Sequence, residues 1–311
     1  CRGSCPPLAR RAEPDVTQII SLPLSLDDAS FEQVFQALSQ IAPDDKVLLD
    51  ARHTRWATPY GLTALLTVAQ TRTTTPAFVP PEADETLSYW ARTGFFSHAE
   101  SLYDIRGPFP KVRPGGESAV LLEITEVSKS GDVHDVVGRI QQRAQKILAE
   151  LNIDSAATIR FVTTLSEVCQ NVVEHAESSG WVAVQTYQWK KRLGRRVVQI
   201  AVSDGGLGFR RSLEKLPGRQ PLAPDDRWDD GMALEEAVIR GVSRFRDRGR
   251  GQGLANTRNF LGKWSGKLSI RSGTARIAIV PSWDEDTPLC VGLPYFPGAQ
   301  VLITIPDRIA Q

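Results

Sequence analysis

Three polar side chains, Glu167, Asn171 and His175, recur at every fourth position of one short segment. The segment also carries a helical apolar stripe, formed by Phe161, Leu165, Val168 and Val172. This spacing places the polar side chains along one shoulder of a helix, beside the core. Polar groups in such a position need hydrogen bonds, a metal ion or a ligand to be stable. An ordinary polar helix shoulder is the simpler alternative.

A carboxylate follows at the end of a predicted strand. Val198, Ile200 and Val202 share one face of that strand, and Asp204 falls on the same face one step later. An inward carboxylate at a strand end can cap the following turn, or it can accept a hydrogen bond from the amino group of a ligand. The exocyclic amine of adenine suits the second role.

Glycines cluster twice after the helical segment, once directly behind the carboxylate and once before another predicted helix. The first cluster removes side chains where a planar base would approach. The second exposes backbone N–H groups and the positive end of the helix dipole, which favours a bound phosphate. Arginines near the second cluster either meet a polyphosphate or form a solvated lid. The residues concerned are Gly206, Gly208, Arg250, Gly251, Gly253 and Leu254.

In order and spacing these motifs resemble the GHKL superfamily, the ATP-binding fold shared by gyrase, a heat-shock chaperone, histidine kinases and mismatch-repair proteins. The resemblance extends over residues 119–311. The helical segment matches the N box, and the two glycine clusters match the D-x-G-x-G and G-x-G-L boxes. The N box and the absence of an upstream phosphorylatable-histidine helix are most similar to bacterial anti-sigma-factor serine kinases.

This resemblance implies a role for each matched residue. Asn171 would coordinate Mg²⁺, and Glu167 would act as the general base on a water or a substrate hydroxyl. Asp204 would contact adenine. Gly251 and Gly253 would let a lid, with Arg250 and Leu254 beside them, close over the triphosphate of ATP.

Three features depart from the family pattern. The last strand begins Gly298-Ala299 where the family often has Gly-Thr, so one hydroxyl near the base is expected to be missing. The excursion at 281–297 and the lid region at 210–230 are both longer than expected. His175 falls at a variable position of the N box, so contact with phosphate and simple helix-end packing both stay open.

The elements that hold these motifs follow from hydrophobic periodicity. Strands are expected at 120–127, 181–189, 196–203, 268–271, 276–280 and 301–305, with a loop at 281–297. Helices are expected at 132–151, around Glu167, at 234–245 and at 255–261. Strands 181–189 and 196–203 form an antiparallel hairpin.

Strands and helices alternate in the first hundred residues, which favours a small α/β module. Helices are expected at 31–41, 62–70 and 82–93, and strands at 16–24, 47–50, 78–79 and 102–105. The strand ending at Asp50 and the helix opening near Gly61 resemble STAS anti-anti-sigma domains. Pro59 and Tyr60 stand where that family has a serine pair, and Thr58 is one residue too early to replace it.

The expected organisation is therefore an α/β protein in four parts. A disordered tail at 1–15 precedes a STAS-like α/β module at 16–106, and a linker at 107–118 leads to a GHKL two-layer α/β sandwich at 119–311 with a mixed, mostly antiparallel sheet. Cys1 leaves open whether the native start is present.

The composition excludes several classes of function. A net charge of +1 offers no global attraction to nucleic acid or to a membrane surface, and no apolar run is long enough to span a bilayer. The four cysteines lack the spacing of a zinc site and fit a reducing cytoplasm.

Two functional hypotheses result. One is a cytoplasmic, ATP- and Mg²⁺-dependent serine/threonine kinase or slow ATPase that acts on a protein partner, such as a sigma factor or a STAS-type protein, and a homodimer is compatible with it. The alternative is a nucleotide-gated protein-binding module without kinase activity.

Overall fold

The structure is a computed structural model of the 311-residue chain. It describes residues 17–111, 121–128, 176–189, 193–216, 228–242 and 253–307, together with six single helical residues between 138 and 170. The tail expected at 1–15 and most of the expected linker lie outside these residues.

The first module contains a four-stranded parallel sheet in the order β1-β3-β5-β6. A separate short pair, β2 with β4, is also parallel. The strands are β1 (Gln18–Ser21), β2 (Ser25–Leu26), β3 (Val47–Asp50), β4 (Trp56–Ala57), β5 (Ala77–Val79) and β6 (Asp104–Ile105). The short buried strand expected at 47–50 is confirmed.

Four helices accompany these strands. They are α1 (Phe31–Leu38), α2 (Pro59–Thr71), α3 (Asp84–Arg92) and α4 (Phe95–Leu102). Sequence patterns predicted α1 to α3 with small errors at their ends but missed α4. The strand expected at 102–105 is present as β6 but begins two residues later, because α4 extends to Leu102. Gly94, at a φ of 80°, ends α3 in the left-handed region, and a new helix begins at the next residue.

The second module is built on a five-stranded sheet in the order β10-β11-β9-β8-β7. Its strands are β7 (Leu121–Val127), β8 (Gly180–Trp189), β9 (Arg195–Asp204), β10 (Lys267–Ile279) and β11 (Leu289–Pro306). The predicted β8–β9 hairpin is confirmed. All four pairings in this sheet are antiparallel. Among the described strands, parallel pairing therefore occurs only in the first module, in its four-stranded sheet and in the β2–β4 pair.

The region expected as a loop at 281–297 is half strand. β11 already begins at Leu289, and β10 runs through the gap expected between two separate strands. The β10–β11 register shifts around Gly273, where Gly273 pairs with Phe296 and Ala275 pairs with Val291. The extra β11 residues in this irregularity include Pro294, which a regular ladder would exclude.

Helices cover one face of this sheet, as a two-layer sandwich requires. They are α5 (Gly208–Glu214), α6 (Asp230–Val238) and α7 (Gly253–Trp264), and Thr163, Ser166, Cys169 and Gln170 are also helical. The expected helix at 234–245 begins four residues earlier because Asp229 caps it through its side chain. The core under these helices includes Ile200, Leu234 and Leu261.

The opposite face of the sheet is covered by α2. Every residue of α2 from Pro59 to Ala69 is buried. One hydrophobic cluster joins α2 and the rest of the first module to residues of the second sheet, namely Trp181, Ala183, Ala201, Phe296 and Leu302. The two modules therefore share a core.

Polar contacts also join the modules. The fully buried guanidinium of Arg271 donates from Nε to the Glu32 carboxylate at 2.8 Å and from Nη1 to the Gly273 carbonyl at 2.6 Å. It also donates to the Pro294 carbonyl. A buried guanidinium is tolerated because its donors are used in this way. Its partners bring α1 to the irregular part of the β10–β11 pair.

Two further sequence expectations can be checked in the described residues. Cys169 is a buried core residue, and burial raises the pKa of its thiol to about 12. None of the described helices is long and apolar enough to cross a bilayer.

The shared sheet predicts a large difference between two isoleucine truncations. Ile200→Ala removes a fully buried side chain and is expected to lower the free energy of unfolding by about 2–5 kcal/mol. Ile19→Ala, at a side chain that is 66% exposed, is the control and should cost well under 1 kcal/mol. Urea denaturation measures both, and equal effects would contradict the assigned core.

Candidate functional site

Asp204 ends β9 with its side chain directed into the protein, as its alternation with Val198, Ile200 and Val202 predicts. Its residue surface is 4% exposed. One carboxylate oxygen accepts a hydrogen bond from the backbone N–H of Gly206 at 2.9 Å, so the turn-capping role is confirmed. That bond leaves the carboxylate further acceptor capacity, so capping does not exclude a ligand.

The electrostatic setting of Asp204 is unusual for a carboxyl group. Burial raises its pKa from the ordinary value of 3.8 to about 7, against the lowering effect of backbone hydrogen bonds from Gly206 and Ala299. Desolvation disfavours the charged form of a carboxyl group. A neighbouring hydrogen-bond donor from a ligand would therefore stabilise the carboxylate strongly at this position.

The loop that follows, residues 204–208, is held against Ala176, the residue that comes after the Glu167–His175 segment in the sequence. Leu207 donates its backbone N–H to the carbonyl of Ala176, the residue next to His175, at 3.0 Å. A side chain at Gly206 is impossible here, because a Cβ atom would lie 2.0 Å from that same carbonyl oxygen. Gly206 thus makes room for the backbone of Ala176. The sequence interpretation had instead explained this glycine by the approach of a planar base.

The last strand closes over the same loop. Ala299 pairs with Asp204 in the β9–β11 ladder. A Cβ atom at Gly298 would lie 2.6 Å from the Asp204 carboxylate, so only glycine fits there. The strand end of the site is therefore built from backbone packed closely around one carboxyl group.

Ser272 is a functional candidate that the sequence did not indicate. Its hydroxyl on β10 donates to the Gly298 carbonyl at 2.7 Å and accepts from the backbone N–H of Phe209 at 3.1 Å. Ser272 pairs with Ala299 in the β10–β11 ladder, opposite the residue where a hydroxyl was expected to be missing. Only strand pairing brings Ser272 there, so no local motif could have revealed it.

A polar cavity of about 390 Å³ borders this arrangement. Arg210, Arg211, Glu214 and Asp230 contribute charges to its wall. Arg210 is paired with Glu214 at 3.1 Å, and the Asp230 carboxylate accepts from the backbone N–H and the hydroxyl of Thr274, both at 2.8 Å. Residues of the site, Leu207, Ser272 and Gly298, also line the cavity.

The remaining predicted site residues are only partly described. Glu167, Asn171, His175, Arg250 and Gly251 lie outside the described residues. Gly253 and Leu254 are the first two residues of α7, so the second glycine cluster does open a helix, as predicted. Within the described part of the chain, no group of three or more histidine, cysteine or acidic side chains is placed to hold a metal ion.

Residues 133–257 match the family model of the histidine kinase-like ATPase domain. The matched range contains the Glu167–His175 segment, the 204–208 loop and the second glycine cluster. Comparisons with curated proteins and with solved structures find no match.

The burial of Asp204 predicts a pH-dependent stability difference. Between about pH 4 and pH 7 the folded protein keeps a proton that the unfolded chain releases, so this group lowers stability as the pH rises. Asp204→Asn removes that loss. The melting temperature of Asp204→Asn minus that of the parent should therefore increase from pH 4.5 to pH 8. The corresponding change in the difference between their free energies of unfolding is at most about 4 kcal/mol.

The control is Asp104→Asn, at an exposed carboxylate. Thermal unfolding monitored by circular dichroism at both pH values is the measurement. A difference between Asp204→Asn and the parent that stays constant with pH would contradict a raised pKa at Asp204.

Proposed function

We propose that this chain is an Mg²⁺-dependent ATP-binding regulatory protein, and that its second module phosphorylates a protein partner or hydrolyses ATP slowly, in the manner of anti-sigma-factor serine kinases. The match of residues 133–257 to the histidine kinase-like ATPase domain supports nucleotide binding. The carrying observation is the 204–208 loop, which joins a buried carboxyl group to the backbone of Ala176.

The setting of Asp204 supports the binding of a nucleotide base. Asp204 offers a buried hydrogen-bond acceptor. The exocyclic amine of adenine is an uncharged donor that could bond to it. Such a buried acceptor discriminates between bases, because a base with a carbonyl at that position would place a second acceptor against the carboxylate instead of a donor. We therefore assign adenine recognition to Asp204.

The phosphate end is assigned through the family resemblance. Asn171 would hold Mg²⁺ through its side-chain oxygen, and Glu167 would accept the proton of a serine or threonine hydroxyl or of a water. Gly251 and Gly253 would allow the lid to close, with Arg250 and His175 near the phosphates. Mg²⁺ would offset the phosphate charge, and phosphoryl transfer depends mostly on such positioning and charge stabilisation.

The first module is proposed to be STAS-like, which supports a role in partner switching. Its helix α2 follows β3 and β4 at the junction where that family carries its serine. Thr58, a nearby hydroxyl, caps α2 by accepting from the Gly61 N–H and donates to the Leu26 carbonyl. Because Thr58 is buried and so engaged, the phosphoacceptor in a kinase mechanism must lie elsewhere, which we propose is a separate protein.

The burial of the Thr58 hydroxyl also favours the second candidate, a nucleotide-gated binding module. The first module already covers the sheet of the second and offers no accessible hydroxyl at that junction. ATP would then order the lid and change a docking surface without any phosphoryl transfer. The two functions differ in one product: the kinase would phosphorylate a separate protein, and the gate would not.

Asn171→Ala tests the metal ligand. The variant should lose Mg²⁺-dependent ATP binding, because the proposed site has lost the side-chain oxygen that holds the ion. Gln170→Ala, at the neighbouring helical residue, is the matched control and should bind like the parent. Calorimetric titration with and without Mg²⁺ decides, and unchanged binding by Asn171→Ala would remove the assignment.

Glu167→Ala tests the chemistry. ATP should still bind, whereas turnover should fall by roughly 10²–10⁴-fold, the usual contribution of a general base. Incubation of parent and variant with γ-labelled ATP and candidate partner proteins measures this. Label on a partner supports the kinase, released phosphate supports the ATPase, and retained intact ATP supports the gate; full turnover by the variant would exclude Glu167 as the base.

A further inference from the structure

The end of α2 contacts both chain segments that frame Asp204. Thr67 and Ser203 form a hydrogen bond between their hydroxyl oxygens at 2.8 Å, and both residues are fully buried. Ser203 directly precedes Asp204, and its side chain lies on the opposite face of β9. The hydroxyl of an α2 residue is thus bonded to the residue beside the proposed adenine contact.

The loop after Asp204 packs directly on the same helix. A Cβ atom at Gly205 would lie 2.5 Å from the Cγ2 atom of Thr71 and 3.5 Å from that of Thr67. The Gly205 backbone therefore has no room to move toward α2. A displacement of α2 toward the sheet would have to move the backbone on both sides of Asp204.

Gln70 holds the second segment. Its side-chain amide donates to the Ser179 hydroxyl at 3.1 Å, and its carbonyl accepts from the Trp181 indole N–H at 2.8 Å. Ser179 lies three residues after Ala176, whose carbonyl anchors the 204–208 loop. Thr67 and Gln70 of one helix thus contact the two chain segments that carry Leu207 and Ala176.

The helix is in turn held by the first module. The Tyr103 hydroxyl donates to the Leu65 carbonyl of α2 at 2.6 Å, and Thr58 caps the start of α2 against Leu26. A shift within the first module would therefore be carried by α2 to the sheet. The hydrogen bonds from Thr67 and Gln70 lie in the last two turns of α2, and Ser203, the partner of Thr67, is the residue before Asp204.

We propose that α2 is the positioning element of the nucleotide site, with Thr67 and Gln70 as positioning residues that set the place of Asp204 and couple nucleotide affinity to the state of the first module. This inference rests on the proposed function, since it assigns Asp204 to adenine. Ligands or partner proteins that move the first module would change ATP affinity, and ATP would change their affinity by the same factor.

The test replaces single hydroxyl groups of α2 in the full chain. Thr67→Val removes the hydroxyl at nearly constant volume, and Thr67→Ser restores it. Thr63→Val is the matched control, because Thr63 is equally buried but its hydroxyl donates only within α2, to the carbonyls of Pro59 and Tyr60. Gln70→Met provides a second variant if Thr67→Val does not fold.

Two measurements separate positioning from general destabilisation. Without nucleotide, hydrogen exchange of the peptide covering residues 203–209 should accelerate in Thr67→Val and Gln70→Met but not in Thr63→Val. With Mg²⁺·ATP, the Kd should rise at least fivefold in the first two variants, the lower range of typical coupling, and the preference for ATP over GTP should shrink. Thr67→Ser should restore both properties.

The two proposals fail differently. If the parent binds ATP and Thr67→Val matches Thr63→Val in affinity and exchange, α2 does not position the site, while the proposed function stands. If the parent does not bind ATP, the proposed function is wrong and the nucleotide role of α2 falls with it; the exchange data then show whether the mechanical link to the 204–208 loop exists.

Discussion

The five-stranded sheet is buried on both faces, and this constraint organises the rest of the molecule. β9 is buried from Val197 to Asp204, so each of its faces must be covered. Helices of the second module cover one face, and α2 of the first module covers the other. Because α2 is itself buried along most of its length, neither module can bury its apolar surface without the other. The modules are separate in sequence but form a common core.

Burial of this sheet also determines the chemistry at its end. Asp204 extends the apolar face of β9 by one residue, so its carboxyl group inherits a dry environment and a pKa near 7. Backbone from Gly206 and Gly298 lies against it, and the close packing there excludes a side chain at either glycine. A carboxyl group in such a setting has few acceptable partners, and this limited choice is the physical basis for assigning it to a base with an exposed amino group.

The arrangement of the first module bears on kinase and gate alike. A hydroxyl that caps α2 and is buried cannot serve as an accessible phosphoacceptor, which leaves Thr58 a structural role. The contacts of Thr67 and Gln70 instead connect this module to Ser203, the residue before Asp204, and to Trp181 on the neighbouring strand. In a kinase such a connection would regulate affinity for ATP, and in a gate it would be the path by which ATP affects a bound partner. The connection is compatible with both functions.

Local patterns in the sequence determined much of this protein. Alternation predicted the β8–β9 hairpin and the inward direction of Asp204, and the glycine clusters predicted the turn after Asp204 and the start of α7. Periodicity could not reveal α4, because this helix begins directly after the end of α3 at Gly94. It also could not reveal that β11 continues as a strand around its prolines, because the neighbouring strand β10 decides the pairing and its irregularities. It also could not show that α2 packs on the second sheet or that the Ser272 hydroxyl bonds to the Gly298 carbonyl. Nor could it show that Gly206 lacks a side chain because the Ala176 backbone packs against it. These contacts join residues far apart in the chain, so only the tertiary packing of two apolar sheet faces decided them.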